Sequence, residues 1–246
     1  MQIRDAGKVV EFIVDWLRRQ VNQAGARGIV VGLSGGIDSA VVAALGRRAF
    51  GRDMLAVIMP CHSIPSDAED ARLVAEALDI PFRTVDLGPA CDALTSAMAA
   101  DGLELPRLAG ANLKARLRMC TLYAAAQSLS FLVCGTGNRS EYETGYFTKF
   151  GDSASDLLPL ANLLKCEVRT AARVLGIPER IIEKAPSAGL WEGQTDEGEM
   201  GFSYEDLDRY LFDGTAKDED FRQRVEAMRR RSAHKRAPVP ICIIPE

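Results

Sequence analysis

Several features that would point to a metal–sulfur, membrane or nucleic-acid protein are missing from this chain. Its 246 residues contain six cysteines and only two histidines. No two cysteines form a Cys-x-x-Cys pair, which disfavours a zinc site. No apolar run approaches the ~20 residues that a membrane-spanning helix needs. A net charge of −4 gives no sequence-independent attraction to nucleic acid.

The same absences set the expected location and organisation of the chain. Asp15, Arg18 and Arg19 interrupt the N-terminal apolar pattern, so we expect no signal peptide. Several cysteines lie within apolar runs, which favours buried free thiols in a reducing cytoplasm. We therefore expect a cytoplasmic protein without membrane or nucleic-acid partners. The length suits one large domain spanning residues 1–246.

The apolar pattern alternates between strand and helix along the first two thirds of the chain. Short β-branched or apolar runs at 29–31, 54–59, 81–86 and 131–134 predict four strands, and a fifth is expected near 157–160. Helical periodicity lies between them and returns after residue 165. This order predicts an α/β fold with a doubly wound, parallel, five-stranded sheet and a helical C-terminal segment.

A glycine-rich octapeptide at 32–39 separates the first strand from an alanine-rich helix. Glycines let backbone N–H groups approach an oxyanion, and the helix N-terminus adds positive potential. The octapeptide lacks the Gly-Lys-Ser/Thr ending of a Walker A loop. It instead contains Asp38, which would repel a bare phosphate unless a cation lay between them.

A second glycine-rich polar turn, at 135–138, follows the fourth strand and leads to Glu141. Ligands of parallel sheets bind beyond the carboxyl ends of the strands, so both turns are expected at one edge. Two carboxylates beside a polyphosphate suit Mg²⁺, a hard ion that accepts one or two protein oxygens plus phosphates. Asp38 and Glu141 are therefore predicted metal ligands. The alternative roles are a helix cap for Asp38 and a surface acid for Glu141.

The Ser-Gly-Gly-Ile-Asp-Ser motif at 34–39 resembles the pyrophosphate loop of the ATP pyrophosphatases. Further segments at 112–119, 135–141, 145–152, 186–197 and 234–236 resemble one family in that group, the ammonia-dependent NAD synthetases. The resemblance covers nearly the whole chain. It implies a Rossmann-like adenine-nucleotide fold and the conversion of deamido-NAD, ATP and ammonia to NAD, AMP and pyrophosphate. No nucleophilic side chain is required, because adenylation of the nicotinate carboxylate supplies AMP as leaving group.

The resemblance also implies roles for individual residues. The expected ATP contacts are Gly32, Leu33, Ser34, Gly35, Gly36, Ile37, Asp38, Ser39, Thr136, Lys165 and Ser187. The expected deamido-NAD contacts are Arg116, Lys149, Asp156, His234 and Lys235. Asp152 is a candidate for holding ammonia or taking a proton from ammonium. Arg118, two positions from Arg116, is expected to support the site rather than bind substrate.

A homodimer with deamido-NAD at the subunit interface is implied as well, with 1–24 and 106–130 as candidate interface segments. Residues 184–202 have the composition of a ligand-ordered loop, and Trp191 is expected to pack over the ligand.

Three alternatives remain open at the sequence level. An ATP pyrophosphatase acting on tRNA would want a basic accessory domain or a cysteine pair, and neither is present. The glutamine-dependent synthetase needs an amidohydrolase region, for which 246 residues leave no room, although a separate glutaminase partner could supply the ammonia. A nucleotide sensor without turnover is disfavoured because the metal acids and the substrate lysines occur together.

Overall fold

The computed structural model describes residues 3–187 and 195–244. In those ranges four parallel strands form one sheet in the order β3–β2–β1–β4. The strands are β1 (Gly28–Gly32), β2 (Met54–Ile58), β3 (Phe82–Thr84) and β4 (Phe131–Cys134). The α/β class with a parallel sheet is thus confirmed.

Helices connect the strands and continue to the C-terminal end. They are α1 (Ala6–Gln23), α2 (Ile37–Phe50), α3 (Pro65–Ala77), α4 (Gly88–Ala100), α5 (Arg107–Leu129), α6 (Arg139–Thr144), α7 (Lys165–Val174), α8 (Glu179–Ile182), α9 (Asp196–Met200), α10 (Tyr204–Asp213), α11 (Glu219–Arg231) and α12 (Ala233–Arg236). In the part of the chain that is described, none of these helices is both long and apolar enough to cross a membrane.

The expected fifth strand is reduced to a single bridge. Leu157 pairs in parallel with Cys134, and its carbonyl accepts from the backbone N–H of Gly135 at 2.8 Å. Pro159 follows two residues later, has no N–H to donate and precedes a turn. The five-stranded prediction therefore fails at its last strand, and four strands stand in the described residues.

The sheet is buried on both faces because successive residues of β1 point to opposite sides. Ile29 and Val31 belong to a cluster with α1, α2 and α7. Val30 belongs to the opposite cluster, with apolar side chains from β2, β4 and α5. Both layers hold the strands so that their carboxyl ends share one edge.

The C-terminal helices have a small core of their own. Tyr204 and Leu207 of α10 pack with Phe221 and Val225 of α11, and Phe202 meets Phe221 edge to face at 5.2 Å. With this cluster behind it, α10 packs against α6 and α7.

Candidate functional site

A cleft of about 620 Å³ opens at the carboxyl ends of β1, β2 and β4. Strands β1 and β4 are neighbours in the sheet, although about a hundred residues separate them in sequence. The octapeptide 32–39 and the turn 135–138 therefore meet. Both loops line the cleft through Ser34, Gly36, Asp38 and Thr136.

The octapeptide is folded by hydrogen bonds within itself. The Ser39 hydroxyl donates to the Gly36 carbonyl at 2.9 Å and accepts from the Ser34 N–H at 3.1 Å. Gly35 has a φ of +83°, and a Cβ there would lie 2.3 Å from the carbonyl oxygen of Asp67 in α3. Only glycine fits this left-handed, close-packed position. The loop is thus pre-shaped against α3.

The loop ends where α2 begins, and no side chain caps that helix. Gly36 is the N-cap residue and has extended backbone angles. The first N–H groups of a helix have no partner within it and attract anions. Their placement at the cleft makes this end of α2 suited to a phosphate group.

Asp38 and Glu141 lie together in the cleft, held by Asn138. The Asn138 amide donates to Asp38 Oδ1 at 2.9 Å, while its carbonyl oxygen caps α6 by accepting from the Glu141 N–H at 3.0 Å. Glu141 Oε2 in return accepts from the Asn138 N–H at 3.2 Å. Asn138 is fully buried. This capping box fixes the α6 carboxylate relative to the α2 carboxylate.

Lys165, the first residue of α7, lies between the two carboxylates. Its Nζ donates to Asp38 Oδ2 at 2.6 Å and to Glu141 Oε1 at 3.3 Å, and its side chain is 3% exposed. The ammonium also lies 4.8 Å from the centre of the Tyr204 ring. Lys165, the predicted phosphate contact, is thus ion-paired with Asp38 and Glu141, the predicted metal ligands.

The protonation equilibria of this group reflect burial and mutual charge. Burial raises the pKa of Glu141 to about 7, opposed by the nearby charge of Lys165. Burial alone would lower the pKa of the Lys165 ammonium, but the carboxylates of Asp38 and Glu141 outweigh it and raise that pKa. Lys165 is therefore a cation held by two acids.

A further carboxylate borders the pair. The Tyr204 hydroxyl donates to Asp196 Oδ2 at 3.0 Å and to Glu141 Oε1 at 3.4 Å. Asp196 is buried, and its Oδ1 has no hydrogen-bond partner in the described part of the chain. Burial raises the pKa of Asp196. This oxygen is available to accept a further hydrogen bond.

The donor set of this site fits Mg²⁺ better than a softer metal. Asp38 and Glu141 offer only oxygens, and Mg²⁺ binds through one or two carboxylates completed by phosphates and waters. Within residues 3–187 and 195–244, no three His, Cys, Asp or Glu side chains are grouped as a ready-made metal cage. A metal at Asp38 and Glu141 would therefore depend on ligands from a bound nucleotide.

Asp152 and Lys235 lie on another wall of the same cleft. The Asp152 carboxylate accepts from the Thr148 N–H at 2.8 Å, and Lys235 donates to the carbonyls of Gly145 and Phe147 at 2.8 and 2.6 Å. Asp152 keeps contact with solvent, yet the dense protein around it raises the pKa of its carboxyl. Burial lowers the pKa of Lys235, and the charge of Asp152 opposes that change.

Three of the predicted deamido-NAD residues form a separate group outside the cleft lining. The Arg116 guanidinium donates to the Lys149 carbonyl at 3.3 Å, and Lys149 Nζ donates to the His234 carbonyl at 2.8 Å. Arg116 and His234 are exposed. Lys235, adjacent to His234, links this group to the cleft.

Asp156 is placed differently from the other predicted substrate contacts. Its Oδ2 accepts from the Val133 N–H of β4 at 2.7 Å, and its Oδ1 accepts from the Tyr123 hydroxyl at 3.3 Å. In this arrangement it closes the free edge of the sheet next to α5. Arg118 lines the cleft and donates to Met59 O and Ser63 Oγ at 3.1 and 2.9 Å, and its supporting role stays a prediction.

The described parts of the segment 184–202 contact the rest of the protein, since residues 184–187 line the cleft and Met200 and Phe202 lie in the C-terminal core. Lys184 Nζ donates to Asp67 and Asp70 of α3 at 2.8 and 2.7 Å, and Ser187 lines the cleft. Part of the expected loop is the short helix α9. Trp191, predicted to cover the ligand, lies outside the described residues.

The comparisons with known proteins agree with this geometry. The family model described as NAD synthase matches residues 9–239. The NH(3)-dependent NAD(+) synthetase of Carboxydothermus hydrogenoformans is 55% identical over 229 residues, which is 92% of this chain and 93% of that protein. The chain belongs to the NAD synthase family.

Solved structures of related proteins share its fold over nearly their whole length. A structure described as NMN synthetase from Francisella tularensis superposes with a TM-score of 0.91 at 40% identity, covering 98% of both chains. The NH3-dependent NAD synthetase from Campylobacter jejuni superposes with a TM-score of 0.80 at 29% identity, covering 97% of this chain and 99% of that one.

In this NAD synthase, the residues that assemble the acidic group are not evident from the sequence. The sequence predicts a polar turn at Asn138 and no role for Asp196 or Tyr204. The Asn138–Glu141 spacing is the signature of a capping box and could have indicated the α6 start. The contact of Asn138 with Asp38 had no such signal, because a hundred residues separate the two.

Proposed function

We propose that this NAD synthase is an ATP-dependent ligase that amidates deamido-NAD to NAD with ammonia, releasing AMP and pyrophosphate. The observation that carries the proposal is the position of the phosphate loop 32–39, which brings its Asp38 beside Glu141 at the ends of β1 and β4. This is the arrangement needed to hold a metal–polyphosphate whose leaving group is pyrophosphate. The NH(3)-dependent relatives support the same assignment.

ATP is proposed to bind in the 620 Å³ cleft with its phosphates on the 32–39 loop. Backbone N–H groups at the start of α2 and the hydroxyls of Ser34 and Ser39 face this space. Thr136 in the turn 135–138 and Ser187 in the segment 184–202 line the same cleft. Both are proposed as further ATP contacts.

Mg²⁺ is proposed to bind between Asp38 and Glu141. When bound, it supplies charge neutralisation for the departing pyrophosphate and lowers repulsion between the nucleotide and the carboxylates. Asn138 orients the Asp38 carboxylate. Lys165 adds a positively charged ammonium that can donate a hydrogen bond to a phosphate oxygen.

The nicotinate end of deamido-NAD is proposed to enter the cleft past Lys235 and Asp152. Arg116, Lys149 and His234 would bind the remainder of the dinucleotide, since they group beside the cleft mouth. Asp156 is proposed as a contact at the sheet edge. The exposed position of Arg116 fits a ligand shared with a second subunit of a homodimer.

The reaction follows from these placements as two displacements. A nicotinate carboxylate oxygen attacks the α-phosphorus of ATP, and pyrophosphate leaves toward the α2 N-terminus. Ammonia then attacks the acyl carbon, AMP leaves with the original carboxylate oxygen, and the nitrogen releases one proton to solvent as the amide forms. The protein mainly positions reactants and stabilises charge.

Asp152 is proposed to hold ammonia or to accept a proton from ammonium. It lines the cleft together with Lys235, and the Thr148 N–H fixes its carboxylate by donating to Oδ1 at 2.8 Å. The ammonia comes from solution or from a separate glutaminase. A cytoplasmic location goes with the free cysteines buried in the structure, Cys61, Cys91 and Cys134.

A second candidate differs only in the substrate. The similarity to the NMN synthetase of Francisella tularensis favours nicotinate mononucleotide as the second substrate to test. This compound has the same nicotinate carboxyl as deamido-NAD but lacks its AMP half. The chemistry at the carboxyl is identical, so the residues outside the cleft decide between the two substrates.

The test is amide formation by the purified protein with ATP, Mg²⁺ and either deamido-NAD or nicotinate mononucleotide. Each substrate is paired with ammonium or with glutamine. We expect NAD and AMP in equal amounts from deamido-NAD and ammonium, and none from glutamine. Faster amidation of the mononucleotide would favour the second candidate. Folded protein that forms neither amide nor AMP contradicts both.

Asp38→Asn is the matched site variant and should lower the rate at least about 100-fold by removing a metal ligand. Asp53→Asn is the control, because Asp53 is an exposed acid just before β2, at the opposite end of the sheet. It should leave the rate unchanged.

A further inference from the structure

Lys165 occupies the position that the proposed function assigns to the metal. Its Nζ lies 2.6 Å from Asp38 Oδ2 and 3.3 Å from Glu141 Oε1, so it bridges the two acids. Both carboxylates are largely buried, at 16% and 18% side-chain exposure. A metal ion held by the same two carboxylates would compete with the ammonium for them.

The backbone of Lys165 is fixed while its side chain is a long flexible tether. The buried Asp208 carboxylate accepts from the N–H groups of Lys165 and Cys166 at 3.3 and 2.8 Å, and Ser140 Oγ accepts from the Lys165 N–H at 3.3 Å. The four-carbon stem of lysine carries a compact charge that can be repositioned without moving the helix. The anchored α7 therefore offers one movable ammonium at the cleft.

Two adjacent carboxylates with little water contact repel each other unless a cation lies beside them. Among the described residues, Lys165 is the only cationic side chain that pairs with Asp38 or Glu141. Asn138 keeps the two carboxylates close together, so without this ammonium their repulsion would favour the binding of a proton or a metal ion. The lysine thus performs electrostatically what a bound metal would perform.

We propose that Lys165 is a built-in counter-ion that holds the Asp38–Glu141 pair in the metal-free protein and yields that position when Mg²⁺–nucleotide binds. The ammonium then turns to the incoming phosphate, so one charge serves both states. This inference rests on the metal assignment in the proposed function. It differs from a simple phosphate-contact role, because it makes Lys165 a competitor of the metal.

The competition is tested by metal binding without nucleotide. Mn²⁺ replaces Mg²⁺ so that the free ion is counted by its electron paramagnetic resonance signal. Lys165→Gln removes the competing charge, and we expect it to bind Mn²⁺ at least about tenfold more tightly than the unmodified protein. Lys165→Arg keeps the charge and should bind weakly, like the unmodified protein. The double variant Asp38→Asn, Lys165→Gln should lose the gain.

Equal or weaker Mn²⁺ binding by Lys165→Gln overturns the proposal, since a residue that only contacts phosphate has no effect without nucleotide. Thermal unfolding gives a second readout. Lys165→Gln should melt at lower temperature than the unmodified protein without metal and recover with Mn²⁺. A lowered melting temperature that Mn²⁺ does not restore contradicts the counter-ion role.

A measurement on the unmodified sequence keeps the test independent of variant folding. With ¹³C-labelled lysine, the Lys165 Cε resonance is assigned by its absence in Lys165→Arg. Mg²⁺ with a non-hydrolysable ATP analogue should shift it, and an unmoved resonance at saturation contradicts the proposal. NAD formation is assayed in parallel, so failure of the proposed function appears as missing activity, separately from missing competition.

Discussion

At the scale of single residues, Gly35 shows how tightly the phosphate loop is specified. Its backbone is left-handed, and Asp67 of α3 lies where a Cβ would be. We expect Gly35→Ala to lower the free energy of unfolding by more than about 2 kcal/mol, from backbone strain plus the clash. ATP affinity, measured by calorimetry, should fall with it.

Gly102 is the matched control for that prediction. Its φ is +78°, but no atom lies within 4 Å of a Cβ built on it. Gly102→Ala therefore carries the strain alone, about 1 kcal/mol, and should leave ATP affinity unchanged. Equal effects of the two substitutions on ATP binding would argue against pre-shaping of the loop by α3.

Asn138 links helix capping to the site. Asn138→Ala removes the α6 cap and the donor to Asp38 together. We expect the free energy of unfolding to fall by about 1 kcal/mol or more, and kcat/KM for amidation to fall about 100-fold because the carboxylate pair loses its alignment.

Asp218→Ala is the control, because Asp218 caps α11 by accepting from the Phe221 N–H at 2.7 Å, without contact to the carboxylate pair. It should cost similar stability and no activity. Activity losses that match for both caps would mean that Asn138 acts through stability alone.

The proximity of Asp38 and Glu141 could be predicted from the sequence, because each residue follows a strand and parallel strands end at one edge. The sequence was not sufficient to place Lys165 between them. That contact joins residues 127 positions apart and depends on how α7 packs against α2, which no local pattern encodes. The roles assigned to Arg116, Lys149 and Asp156 stay predictions.

At the scale of elements, most boundaries followed from apolar periodicity and the exceptions have local causes. β4 matches its predicted span of 131–134. The α3 helix begins at Pro65, because proline has no N–H to donate and suits the first helical position. The fifth strand failed because Pro159 limits hydrogen bonding, a competing signal that the apolar run concealed.

Arg4 joins the segment before α1 to the start of α7. Its Nε and Nη2 donate to the two oxygens of Glu167 at 2.7 Å each. Burial would raise the pKa of Glu167, but the Arg4 hydrogen bonds outweigh it and lower that pKa from its ordinary value of 4.5. A lowered carboxyl pKa means that the pair stabilises the fold above about pH 4.5 and loses its effect as the pH falls through the lowered value.

We therefore expect Arg4→Ala to lower the free energy of unfolding by about 1 kcal/mol at pH 7, given the half-exposed arginine. The difference from the unmodified protein should shrink in acid, as measured by urea unfolding between pH 3 and 7. Arg27→Ala breaks an exposed pair with Asp53 and should show little effect at any pH. A difference for Arg4→Ala that grows in acid would contradict the linkage.

At the scale of the whole molecule, the proposed homodimer with deamido-NAD at its interface makes a prediction about the exposed face of α5. Arg116 and Cys120 lie four residues apart on this helix and are both exposed. We expect a dimer by sedimentation, and Cys120→Arg should shift it toward monomer by adding buried charge at the interface. The KM for deamido-NAD should then rise at least about tenfold, with little change for ATP.

Val174→Arg is the control for that prediction, because Val174 is an exposed apolar residue on α7. It should leave both the dimer and the KM unchanged. A Cys120→Arg monomer with an unchanged KM for deamido-NAD would place the substrate within one subunit.

The central claim is that the cleft joins the nicotinate carboxylate to AMP before ammonia arrives. Deamido-NAD carrying ¹⁸O in that carboxylate tests it most directly, by mass spectrometry of the AMP released with ammonium. If the carboxylate is adenylated first, one ¹⁸O atom appears in AMP for each NAD formed. NAD formed without label in AMP would contradict it.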